Sequence, residues 1–139
     1  IAVSEGPGSY TGLRIGVSAA KGLCYALNKP LIAVDTLQHF ALSVSQNASY
    51  RDSEALYSPM IDARRMEVYN AIYDCNNTPV LLTGARIINE ESFAELIQQY
   101  KIYFFGNGAA KCRDVLGNDT NAIFISDIEL SATSMSSIS

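Results

Sequence analysis

The sequence is poor in the side chains that do chemistry. It has one histidine, His39. A serine triad would therefore have a single candidate base, and a zinc site built on paired imidazoles has no second ligand. His39 stands beside apolar Phe40 at helical spacing, the setting of a surface or packing histidine rather than a base. Asp35 and Thr36 lie close to it without a further ligand, so no metal site is expected. The cysteines, Cys24, Cys75 and Cys112, are odd in number, far apart and set among apolar residues. That pattern excludes a disulfide framework and reads as buried thiols in a reducing, cytoplasmic compartment. Positive charge is also scarce. Ten Lys+Arg against 14 Asp+Glu leave a net charge of -4, and only Arg64 and Arg65 are adjacent. No stripe could neutralise many phosphates, which excludes tight nucleic-acid binding by this chain alone. No apolar run approaches the roughly 20 residues of a membrane-spanning helix.

What the 139 residues do have is apolar content: 48% hydrophobic against 17% charged, enough to bury a core in one domain or two small lobes. Ile1–Ser4 reads as a strand that runs into the glycine-rich loop Glu5–Gly12. Helical spacing follows from Thr11 to Leu27, where Asn28, Lys29 and Pro30 stop it. Leu31–Val34 reads as a second strand, and the Thr36 hydroxyl as the cap of a helix carrying Leu37, Phe40, Ala41 and Val44. Strand and helix alternating with short links predict a parallel α/β layer. Residues 46–54 are polar and look like a linker. Beyond them, Ala55–Ala63, Glu67–Asp74 and Val80–Ile88 read as an antiparallel meander. Next come a helix capped by Asn89 or Ser92 and ending near Tyr100, a strand Ile102–Phe105, a helix Ala109–Leu116 and a strand Ala122–Ile125. The serine-rich Ser131–Ser139 would begin another helix. The second half thus has the order β-β-β-α-β-α-β of a ribonuclease-H-like unit. The first half has only β-α-β-α and lacks the three strands that open such a unit. The expectation is a piece of a larger two-lobed protein: residues 1–50 a remnant of the N-terminal lobe, 51–139 the C-terminal lobe.

Three glycine features carry the functional signal. The loop Glu5–Gly12 could cradle an anion at a helix N-terminus, or simply turn the chain. It is neither a P-loop nor G-x-G-x-x-G. Gly106-Asn-Gly108 poses the same choice between a turn and a nucleotide contact. In the helix, at about 100° per residue, Gly12, Gly16, Ala20, Leu23 and Leu27 form a stripe with Ala19 at its edge. Gly16 and Gly22 lie in the helix interior and cost about 1 kcal/mol each relative to alanine. Close approach of another helix, from the same chain or from a partner, would offset that. Finally, Asp62 and Glu67 bracket Arg64 and Arg65, either as an acid pair or as a hairpin that neutralises its own charges.

The stretch from Ile1 through the Gly6-Pro-Gly8 loop to Leu23 resembles the signature of the TsaB (YeaZ) family. So do Pro30–Leu37 and Asp62–Tyr69 (Asp-Ala-Arg-Arg-Met-Glu-Val-Tyr), and Gly106-Asn-Gly108 falls where that family has a glycine pair. The resemblance covers nearly the whole chain and weakens after Gly117. Members of the family open with a strand hairpin and helix that do not precede the loop here.

The resemblance implies an α/β fold of the actin-like, Hsp70-like ATPase type: two ribonuclease-H-like lobes, the first incomplete. It also implies a role in threonylcarbamoyl-adenosine modification of tRNA beside the anticodon. The family member is a non-catalytic subunit there, the partner of a TsaD-like catalytic enzyme. A TsaE-like ATPase and ATP or ADP join the assembly, and tRNA is reached only indirectly. By this analogy Gly12, Gly16, Ala19, Ala20, Leu23 and Leu27 are the partner interface, with a homodimer as another way of covering the stripe. Gly6, Gly8, Gly106 and Gly108 are the candidate nucleotide contacts, though no cofactor is assigned to this chain itself. The catalytic relative carries a His-x-x-x-His metal motif; aligning the strands puts Thr36 and Phe40 at its two positions, with His39 out of register by one. A phosphate-handling ATPase or small-molecule kinase of the same fold is the alternative. A peptidase, associated with the wider family, would lack a nucleophile–base pair.

Overall fold

The computed structural model describes residues 1–137. Strands β1 (Ala2–Gly6) and β2 (Ile32–Asp35) pair in parallel, from Ala2 opposite Ile32 to Ser4 opposite Val34. Between them runs α1 (Tyr10–Leu27). The Ser9 hydroxyl accepts the Gly12 N–H at its start. At its end Asn28 turns left-handed, φ 50°, and Lys29 N–H returns to the Cys24 carbonyl at 3.0 Å. Helix α2 (Thr36–Ser45) follows β2 directly. Its cap is Asp35 rather than the expected Thr36: one Asp35 oxygen accepts the N–H groups of Leu37 (2.8 Å) and Gln38 (2.9 Å). A carboxylate at a helix N-terminus also meets the helix dipole, whereas the Thr36 hydroxyl pairs with Ser4 Oγ on β1.

The larger sheet contains β3 (Leu56–Asp62), β4 (Glu67–Tyr73), β5 (Pro79–Ile87), β6 (Ile102–Phe105) and β7 (Ala122–Phe124), in the order β5-β4-β3-β6-β7. β3, β4 and β5 form the antiparallel meander; β6 and β7 run parallel to β3. Helices α3 (Ala94–Gln99) and α4 (Ala109–Leu116) supply the crossovers. Neither Asn89 nor Ser92 caps α3. The two bond to each other instead, and the helix starts late, after a left-handed Phe93 with φ 63°. The serine-rich end forms a 3-10 segment, Ala132–Ser137; the rest of the expected helix lies outside the described residues.

Period-2 alternation divides this sheet into two apolar faces. Met60, Val68, Ile72, Ile102 and Phe104 pack with Ile97 of α3 and with Ala109, Cys112 and Leu116 of α4. Tyr57, Ala71, Tyr73 and Phe105 pack with Leu37, Phe40, Ala41 and Val44 of α2. Each large side chain so buried contributes about 1.5–3 kcal/mol. Helix α2 therefore belongs by chain order to the small sheet and by packing to the large one. The polar stretch after it is tied down: Tyr57 Oη donates to the Tyr50 carbonyl at 2.9 Å and accepts the Asp52 N–H at 3.0 Å. Among the described residues no helix is long and apolar enough to cross a membrane.

Candidate functional site

A cleft of about 600 Å³ opens between the small sheet and the large one. The loop after β1 and the first turns of α1 form one side. The β6–α4 loop and residues 128–130 form the other. The two glycine loops, about a hundred residues apart in sequence, therefore face one space. Gly8, Gly12, Gly16 and Gly106 line it; Gly6 and Gly108 do not. Gly106 has φ +97°, and a Cβ there would stand 2.4 Å from the Met60 carbonyl oxygen. Gly108 is buried, and its Cβ would come within 2.9 Å of the Ile61 backbone. Close approach to β3 thus accounts for both glycines, and of the two only Gly106 faces the cleft. Gly6 takes φ +115° where β1 turns out of the sheet, a conformation that L side chains avoid.

The hydroxyls of Ser4 and Thr36, hydrogen-bonded to each other, lie in the cleft wall with Phe40 beside them. The two positions that the resemblance aligned with metal-binding histidines thus both reach the cleft, as a hydroxyl and a phenyl ring. His39 does not. It is 2% exposed, and its Nδ1 lies 3.0 Å from Ser134 Oγ. Burial pushes its pKa below the ordinary histidine value, while the Asp35 carboxylate acts in the opposite direction. No group of three histidine, cysteine or carboxylate side chains is placed to hold a metal among the described residues. The lining is mainly apolar, and its one charged residue is Glu129. No cationic side chain lines it, so an anion there would rest on the backbone N–H groups of the glycine loops.

Helix α1 offers a second surface. Leu13, Val17 and Cys24 are half-buried and Ala20 is 6% exposed, so this line of side chains faces β1. Gly16 adjoins it, and its Cβ would meet Val3 Cγ2 at 3.9 Å. The expected stripe is therefore split. Ala20 and Gly16 turn inward, while Gly12, Ala19, Leu23 and Leu27 are exposed and share the outer face with Ile15, Gly22 and Ala26. The glycine spacing had centred the stripe about 60° away from the line that β1 covers. Ile15 (66%), Leu23 (54%) and Leu27 (59%) stand open, and a Cβ at Gly22 would meet nothing within 4 Å. No helix of the described residues comes close to either helical glycine.

At the β3–β4 hairpin, Asp62 does not pair with the arginines that follow it. Lys111 of α4 binds Asp62 Oδ1 and also donates to the Glu67 carbonyl at 2.8 Å. The lysine, together with the Arg64 N–H, holds the Asp62 carboxyl below the usual range. The self-neutralising hairpin is thus corrected to a clamp between hairpin and helix. Lys111 is 49 residues from Asp62 in sequence, so no local pattern announced it, and none announced that residues 128–130 would wall the cleft.

Two αβ units around a cleft, with a mixed five-stranded sheet between helical layers, define an α/β protein of the actin-like, ribonuclease-H-like class. Residues 1–136 match the family model described as "TsaD: tRNA N6-adenosine threonylcarbamoyltransferase". The chain belongs to that family. It is 46% identical over 77 residues to the tRNA threonylcarbamoyladenosine biosynthesis protein TsaB of Bacillus subtilis, covering 55% of this chain and 31% of that one. With TsaB of Escherichia coli the identity is 40% over 73 residues, 52% of this chain and 30% of that one. Those matches span about a third of the relatives' length. In fold the chain is similar to a crystal structure of an uncharacterised Pseudomonas aeruginosa protein with similarity to peptidase YeaZ. That likeness has TM-score 0.74 at 24% identity, covering 99% of this chain and 63% of that one.

Proposed function

We propose that this protein is a non-catalytic subunit that binds and activates a TsaD-like enzyme in threonylcarbamoyl-adenosine modification of tRNA. The observation that carries the reading is the outer face of α1. Ile15, Leu23 and Leu27 stand exposed around Gly12, Ala19, Gly22 and Ala26. The interior glycine at 22 has no partner within the described chain, and an apolar face of this width is what a packed helical partner would cover. Thr36 and Phe40 in the cleft support the non-catalytic part, because neither ligates a metal as imidazole does. A TsaE-like ATPase and ATP or ADP belong to the assembly in this reading, a homodimer covers the face when the enzyme is away, and the work is cytoplasmic. The test is reconstitution. A TsaD-type enzyme should modify a tRNA transcript faster with this chain than without it, and Ala19→Arg on the outer face should remove the gain. Equal rates with and without the chain would refute the reading.

The convergence of two glycine loops on one cleft favours a second reading, a phosphate-handling ATPase or small-molecule kinase. Nucleotide turnover by the protein alone, abolished by a bulky substitution at Gly8, would establish it.

A further inference from the structure

The turn between β3 and β4 holds two consecutive non-glycine residues in the left-handed region, Arg64 at φ 75° and Arg65 at φ 47°. Side chains rarely tolerate this conformation, and glycine or asparagine usually occupies it. The turn is nonetheless firmly mounted. Asp62 Oδ1 accepts the Arg64 N–H at 2.9 Å, and Asn107 Oδ1 accepts the Asp62 N–H at 2.9 Å. Lys111 grips the Asp62 carboxylate and the Glu67 carbonyl. The neighbouring carboxylate is thereby committed to the lysine, and both arginines are exposed, with no ion pair among the described residues.

The other cations are mostly occupied. Arg14 lies over Tyr10 and Arg113 over Phe124. Arg86 donates to backbone carbonyls, and Lys101 and Lys111 are paired with carboxylates. In a chain of net charge -4, Arg64 and Arg65 are the one pair of adjacent cations in the sequence. Lys21, Lys29 and Arg51 are exposed singly elsewhere, so a polyanion meets two cations adjacent in sequence only here. Guanidinium groups bind phosphate oxygens in a forked geometry.

The geometry points to an RNA-phosphate contact: Arg64 and Arg65 form a preset cationic tip that touches the backbone of the tRNA being modified. This rests on the reading above and extends it, since that reading has tRNA reached only indirectly. Two contacts do not make a tight site, so the tip acts within the assembly, where the enzyme supplies most of the affinity.

The test measures tRNA binding by the assembly of this chain with a TsaD-type enzyme across a salt series, using a tRNA transcript. Losing two phosphate contacts should flatten the log Kd against log salt plot by about 1.4 to 1.8. Arg64→Gln/Arg65→Gln should therefore bind more weakly at low salt, and its deficit should shrink by roughly tenfold between 50 and 200 mM salt. Arg64→Gly/Arg65→Gly should show the same RNA defect with an equal or higher Tm, because glycine relaxes the turn. That combination separates display of the side chains from folding. An unchanged salt slope in either variant, with the assembly intact, would overturn the inference. So would Arg64→Glu/Arg65→Glu failing to bind the enzyme in the absence of tRNA, which would make the tip a protein contact. If the wild-type chain never joins the enzyme, the reading of the preceding subsection fails first and this inference with it.

Discussion

Phe40 of α2 meets Phe105 of β6 edge to face, with ring centroids 4.9 Å apart and planes at 86°. The contact joins the helix that continues from the small sheet to the core of the large one, and Phe40 also forms part of the cleft wall. Phe40 is 2% exposed, so Phe40→Ala should cost about 3–5 kcal/mol, read as a lower denaturant midpoint at unchanged slope. A loss under about 1 kcal/mol would mean that the two parts are not cemented there.

Asp35, not Thr36, should be the cap that matters for α2. Asp35→Ala removes the acceptor of two N–H groups and should destabilise the protein by about 1 kcal/mol. Asp35→Asn should recover most of it, because asparagine caps comparably well. Urea titration of the three proteins decides the matter.

His39 gives the fold a pH dependence with a defined sign. Its folded pKa lies below its ordinary value because the ring is buried, so near and below the ordinary value of about 6.5 the unfolded chain binds the proton more readily. Stability is therefore fully present above that pH and declines as pH falls toward the folded pKa. His39→Gln should flatten this part of the curve of unfolding free energy against pH. A wild-type curve that rises on acidification from pH 7 to 6 would contradict the assignment.

The edge strand β5 should depend on Arg86. Its guanidinium donates to the Asn70 carbonyl at 2.6 Å and to the Leu82 carbonyl at 2.7 Å, where the pairing of β4 with β5 slips out of register. Val80, Leu82 and Ile87 are exposed along the same strand, the kind of edge that invites pairing with another chain. Arg86→Leu should cost about 1.5–3 kcal/mol and raise the rate of aggregation, measured by light scattering.

Most of the fold was legible because its signals are local. Strand β6 and helix α4 fall where their apolar runs and flanking glycines put them, and β3, β4 and β5 lie within a residue or so of expectation. What failed depended on contacts distant in sequence. Thr36 looked like a cap until β1 placed Ser4 against its hydroxyl. Asp62 looked paired to its neighbours until α4 brought Lys111 beneath it. The stripe on α1 followed the small residues, whereas β1 chose the face bearing Leu13, Val17 and Ala20. The two glycine loops were each readable as turns, but only the packing of α2 on the large sheet brings Gly8 and Gly106 to one cleft.

The outer face of α1 is the proposed dock for a TsaD-like enzyme. Gly22 probes it without disturbing the fold, since a side chain there meets open space. Calorimetric titration of the chain into a TsaD-type enzyme should show binding that Gly22→Leu reduces at least about tenfold, a loss of some 1.4 kcal/mol, while the variant's Tm stays at or above that of the wild type. Undiminished affinity of the folded variant would contradict the account.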